Sequence, residues 1–165
     1  MKKTAIFIFT AFLLSVLNSA CDPCKKKDCG PYGNCIDGTC DCDCGASKGS
    51  DGKCNVNDRD PFIGAYVASG TSSSGGNFSN FDFRCNALGA SFNLIEFDMS
   101  EIGFPKFKGT KQCDEIVTFD IANDGSTGDK YNGSAARTGN ILTIIIRRTT
   151  SIGSEITYTF TGNKK

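Results

Sequence analysis

The sequence predicts an all-β protein in two parts: a small disulfide-rich module, then an antiparallel up-and-down β-barrel or sandwich. Three observations carry this reading. Residues 22–60 hold seven of the ten cysteines and almost no large hydrophobic side chains. From Phe62 onward, aromatic and β-branched residues alternate with polar ones at the two-residue period of strands. No window of about a dozen residues carries a helical period.

Composition narrows the chemistry at once. The chain has 165 residues, with 18 basic and 18 acidic side chains and no histidine. Without histidine there is no Ser-His-Asp or Cys-His nucleophile system and no imidazole metal site. A balanced charge argues against nucleic acid as a partner, since such proteins carry a basic excess.

The first element is an export signal, residues 1–20. Lys2 and Lys3 precede a 13-residue apolar run, Ala5 to Leu17, and Asn18-Ser19-Ala20 lead into Cys21. The run is too short to cross a bilayer and has the order of a removable signal peptide. Removing it takes away two lysines, leaving 16 basic against 18 acidic groups and a net charge of −2. A cysteine directly after such a run and a small residue resembles the bacterial lipoprotein signal, in the looser form of Bacteroidetes-type lipoproteins. The resemblance implies that Cys21 carries acyl chains, which anchor the protein to a membrane of the cell envelope, the outer membrane for this type. The alternative is plain secretion, with Cys21 in a disulfide.

Residues 21–54 form the module. Tyr32, Ile36 and Val56 are the only large hydrophobic residues between Asp22 and Asp60, and about 35 residues cannot fold on so small a core without covalent bridges. Gly30-Pro31-Tyr32-Gly33 is a turn sequence, and Asp37-Gly38 suits a tight hairpin. The stretch CKKKDCGPYGNCIDGTCDC resembles the epidermal growth factor-like module. That resemblance implies pairing of Cys24 with Cys35, Cys29 with Cys40, and Cys42 with Cys54. Cys44 is then an extra cysteine: a substitute for Cys42 or Cys54 in a bridge, a free or intermolecular thiol, a partner of Cys21, or paired elsewhere. The CDCDC run suggests no metal site, because an oxidising compartment turns its thiols into disulfides.

Residues 55–61 are polar, charged and end in Pro61, as a linker does. The domain that follows spans 62–165. Phe78 to Cys85 places Phe81, Phe83 and Cys85 on one face of a strand, and Ser91 to Met99 reads as another. Cys113 to Ile121 places Cys113, Val117, Phe119 and Ile121 on one face, with Glu115 as the exception. Ile141 to Thr150 is apolar on both faces before turning polar, and Glu155 to Thr161 aligns Ile156, Tyr158 and Phe160 opposite glutamate and threonines. On this parity Cys85 and Cys113 both point inward and are expected to pair; two buried thiols are the alternative.

The opening Pro61-Phe62-Ile63-Gly64-Ala65-Tyr66, followed by a turn-rich meander, resembles the small calycin-like (lipocalin-like) domains found after such modules in Bacteroidetes lipoproteins. It implies a barrel, and on the strand parity above Phe81, Phe119, Tyr158 and Phe160 are the candidate ligand-facing residues of a cavity within it. The functional expectation is a lipid-anchored envelope protein without catalysis or cofactor, binding a small apolar ligand or a protein partner. The competing expectations are a structural or adhesive surface protein with a filled core, a secreted EGF-like protein, and a hydrolase using carboxylates such as Asp98, Glu101 or Glu115. Adjacent acids such as Asp114 and Glu115 point to opposite faces of a strand, which disfavours joint catalysis.

Overall fold

Alternation along the chain becomes twelve strands in the computed structural model, which describes residues 23–165. The export signal and Cys21 lie outside the described residues. In the module, β1 (Gly33–Ile36) and β2 (Thr39–Cys42) form a hairpin, as do β3 (Ala46–Lys48) and β4 (Cys54–Asn57). Asp37 and Gly38 join β1 to β2 with φ of 49° and 75°. Two positive values in succession are the signature of a type I′ turn, whose twist matches that of the flanking strands. The second hairpin forms although its loop lacks the aromatic residue usual in EGF-like modules. Its strand β4 occupies Asn55–Asn57, so the polar segment ahead of Pro61 is strand at its start.

A single 3-10 turn, Asp60–Phe62, leads into the barrel. Its strands are β5 (Gly64–Ser72), β6 (Asn77–Ala87), β7 (Leu94–Asp98), β8 (Phe107–Lys111), β9 (Ile116–Asn123), β10 (Lys130–Thr138), β11 (Ile141–Thr149) and β12 (Glu155–Lys164). Each pairs antiparallel with the next, and β12 returns to β5, closing the sheet with no free edge. The alternative of two stacked sheets is thereby excluded. The result is the all-β architecture expected, a closed antiparallel barrel of eight strands joined to a disulfide-bonded module.

Inward residues make one continuous core. It runs from Phe62, Tyr66 and Phe83 at one end, through Phe97, Val117, Ile144 and Phe160, to Tyr131 and Tyr158 at the other. Two irregularities alter the parity read from sequence. Register shifts between Ala68 and Gly70 where β5 meets β6, which brings Phe78 round to pack on the core. It shifts again between Tyr131 and Gly133 where β10 meets β9. Beyond that second bulge Ala122 takes the inward position and Ile121 is 65% exposed. An extra residue in one strand reverses every later side chain, so strict alternation assigns Ile121 to the wrong face.

The module sits against one end of the barrel. Tyr32 packs on Phe92 with ring centroids 4.5 Å apart, and the buried Arg59 donates to the carbonyls of Ser91 and Leu94. Cys44 is bonded to Cys113 in the loop before β9, their Cα atoms 4.4 Å apart. The expected Cys85–Cys113 bridge is therefore not formed. Cys113 precedes β9 and lies outside the barrel wall, where it meets the module, whereas Cys85 is on β6 facing the core at 1% exposure. The remaining disulfides join Cys24 to Cys35, Cys29 to Cys40 and Cys42 to Cys54, the pairs that the EGF-like resemblance implies.

Candidate functional site

Phe81 on β6, Phe119 on β9, and Tyr158 and Phe160 on β12 all face the barrel interior and are all buried. They meet other rings there. Phe81 lies edge-on to Phe160 at 5.4 Å, and Phe119 is 4.7 Å from Phe97 and 5.4 Å from Phe107. Phe104 completes the set from the loop between β7 and β8. A 3-10 turn at Ser100–Ile102, ended by Gly103 at φ 81°, drives this ring into the barrel. It lies edge-on to Tyr158 at 4.9 Å, Phe160 at 5.7 Å and Tyr131 at 5.9 Å. Such edge-to-face pairs place positive ring edges on negative faces and are favourable beyond their buried area. The residues expected to line a cavity thus pack upon one another and upon Phe104. Sequence reading missed Phe104, because it belongs to no alternating run; an isolated phenylalanine after a glycine in a loop was its only sign.

Polar groups ring this same end. Asp129, 2% exposed, accepts from Arg148 Nε at 2.7 Å and from the backbone N–H of Ser151 at 3.0 Å. Burial opposes its charge, yet these bonds and the guanidinium hold its carboxyl below the usual range. Arg148 also bonds the Tyr158 hydroxyl, and its guanidinium carbon lies 6.0 Å from the Tyr131 ring centre. The Tyr158 hydroxyl and Asp129 both raise the Arg148 pKa, so it stays a cation. This network buttons β10 to β11 and to the loop after β11. Its members hold one another.

At the module end, the Tyr66 hydroxyl donates to the Phe62 carbonyl at 2.8 Å, and burial pushes its pKa up to about 12. Burial likewise pushes the Cys85 thiol up, so it stays protonated.

The carboxylates are dispersed along the surface. Asp98 accepts from Lys106 at 2.9 Å and from the Ser100 hydroxyl at 2.7 Å; Lys106 is the main cause of its pKa falling to about 2. Glu101 accepts from the Asp82 backbone N–H, and Glu115 is exposed in the loop before β9. Among the described residues no group of three or more potential ligands could hold a metal ion.

Two shallow recesses mark the outer wall. One, about 170 Å³, lies among Asp82, Arg84, Asp98 and Glu101. The other, about 240 Å³, is lined by Phe119, Asn132, Gly133, Ser134, Ile145 and Arg147. It opens beside the β9–β10 bulge, which Phe119 flanks.

No protein-family model matches this sequence, and no curated protein matches it. Among solved structures the chain is similar to EF1p2_mFAP2b bound to DFHBI, at 12% identity and a TM-score of 0.46, over 64% of this chain and 94% of that one. No family is assigned. The eight-stranded closure stands on the strand pairing itself.

Proposed function

We propose that this chain is a lipid-anchored, non-catalytic protein of the bacterial cell envelope, belonging to the Bacteroidetes-type lipoproteins. In this reading an EGF-like module spaces a calycin-like barrel from the membrane, and the barrel recognises its partner through its outer surface rather than an internal cavity. The observation that carries the reading is the interior packing: Phe81, Phe119, Tyr158 and Phe160 spend their faces on other rings. The cysteine pairing supports the anchor. Cys44 is taken by Cys113 and Cys85 is buried, so neither offers Cys21 an accessible partner within the chain. The EGF-like reading rests on two interleaved bridges, a third that follows them, and the tight hairpin at Asp37-Gly38. Balanced charge speaks against nucleic acid as the partner.

The test uses the full chain expressed in its own envelope. It should fractionate with membranes and enter the detergent phase, and the folded protein should leave an apolar fluorophore such as anilinonaphthalenesulfonate dark. Recovery in the aqueous phase would contradict the anchor. Tight, saturable fluorescence from the native chain would contradict the filled interior and restore the ligand-carrying barrel.

A further inference from the structure

On the outer wall the charges are segregated. Across β6 to β9 the cations are matched: Lys106 with Asp98 and Glu96, Lys108 with Asp120, and Lys165 with Asp82. Arg84 stands opposite Asp98 in the β6–β7 register. The wall from β9 through β12 to β5 differs. One cross-strand row reads Thr118, Ser134, Ile145, Thr159 and Thr71, and the next reads Ile116, Ala136, Thr143, Thr161 and Ser69. Neither contains a charge.

Arg147 stands at the edge of this neutral field. Its cross-strand partners are Asn132 on β10 and Thr157 on β12, and its same-face neighbours along β11 are Ile145 and Thr149. Glu155 is opposite Thr149, on the diagonal, and forms no ion pair with Arg147 among the described residues. The guanidinium is thus an exposed cation whose directly opposite and same-strand neighbours are neutral, with Lys130 and Glu155 on its diagonals, and it lines the 240 Å³ recess. Beside it the recess is lined by the polar Asn132 and Ser134 and by the apolar Ile145 and Phe119. Gly133 is fixed there by sterics: a β-carbon would collide with the Ile145 carbonyl oxygen.

We infer that this recess binds a carboxylate carried on a single hydroxylated ring, the chemistry of a sugar acid. A planar guanidinium matches a carboxylate through two parallel hydrogen bonds. The volume is below the ~300–1,000 Å³ of sites for drug-sized ligands, which limits the occupant to about one ring. Hydroxyls of the flanking threonine and serine rows suit a polyol, and Ile145 suits the C–H face of a sugar ring. The inference deepens the reading of the outer surface as the recognition face.

The test is an NMR titration of the oxidised chain, residues 21–165 with Cys21→Ser, using D-galacturonate, D-galactose and benzoate. Galacturonate should move the backbone amides of 132–134 and 145–147, with galactose weaker by about tenfold or more, the range expected for losing charged hydrogen bonds. Arg147→Gln should abolish the response and Arg147→Lys should weaken it. Unchanged spectra elsewhere would show that both variants fold. Equal shifts from galacturonate and galactose, an unaltered response in Arg147→Gln, or benzoate binding as tightly as galacturonate would each overturn the assignment. Membrane fractionation and the dark fluorophore do not depend on this recess, so its failure is separable from failure of the anchor or of the filled barrel.

Discussion

Phe104 illustrates how a single side chain sets what the barrel can do. Its ring meets Phe107, Tyr131, Tyr158 and Phe160, and only 8% of the residue remains exposed. Phe104→Ala should cost about 3–5 kcal/mol in urea unfolding, the usual range for an aromatic deleted from a core. It should also open an apolar void that turns on fluorophore binding. Leaving stability unchanged would show that the loop does not seal the interior. Gly133→Ala, by contrast, should destabilise by overpacking, by roughly 1–3 kcal/mol, because the collision is with backbone rather than with a yielding side chain. Titration acts at this scale too. Asp98 and Asp124 have pKa values of about 2 in the folded chain against an ordinary 3.8, and Asp129 is also lowered. Folded-state values below the unfolded ones mean stability that is full above about pH 4 and is lost as pH falls toward 2. Thermal unfolding should therefore be flat from pH 7 to about 4.5 and decline below it, and Asp129→Asn should flatten that acid limb.

At the level of elements, much of the architecture was legible. Alternation in Phe81-Asp82-Phe83 and in Ile156-Thr157-Tyr158-Thr159-Phe160 places their aromatic residues inward, as observed. Asp37-Gly38 forms its tight turn. Legibility ended where one extra residue entered a strand. Ile121 falls outward and Phe78 inward because bulges lie between them and the residues that set the pattern. In β6 the bulge falls at Asn80, whose φ of 50° asparagine tolerates better than most residues, whereas no residue of β9 marks its bulge by a positive φ. Cys113 failed for a related reason: it lies in the loop, with Asp114 and Glu115 between it and β9, and strand parity does not extend into a loop. The site was less legible still. The neutral wall and Arg147 are visible only when β9, β10, β11, β12 and β5 are laid side by side. The Cys44–Cys113 bridge carries its own prediction. It closes 69 residues of chain, worth about 4 kcal/mol by loop entropy. Cys44→Ser with Cys113→Ser should lower stability by up to that amount, as read by urea midpoint, while leaving the other three disulfides intact. An unshifted midpoint would mean that the bridge constrains nothing in the unfolded chain.

For the whole molecule, module and barrel are joined by a covalent link, an aromatic pair and a buried arginine, all at one end of the barrel. The neutral wall runs along the barrel's side, so anchoring through the module leaves it uncovered. That arrangement suits a protein held at a surface and read from its flank. The cysteine inventory ties the account together: among the described residues eight are bonded and Cys85 alone is free and buried. Intact mass spectrometry of the mature protein from its own envelope, before and after reduction under denaturing conditions, tests this most directly. The account predicts residues 21–165 plus acyl mass on Cys21, with a gain of eight hydrogens on reducing the four disulfides. A chain without acyl mass that gains ten hydrogens, with Cys21 bridged to Cys85, would contradict it.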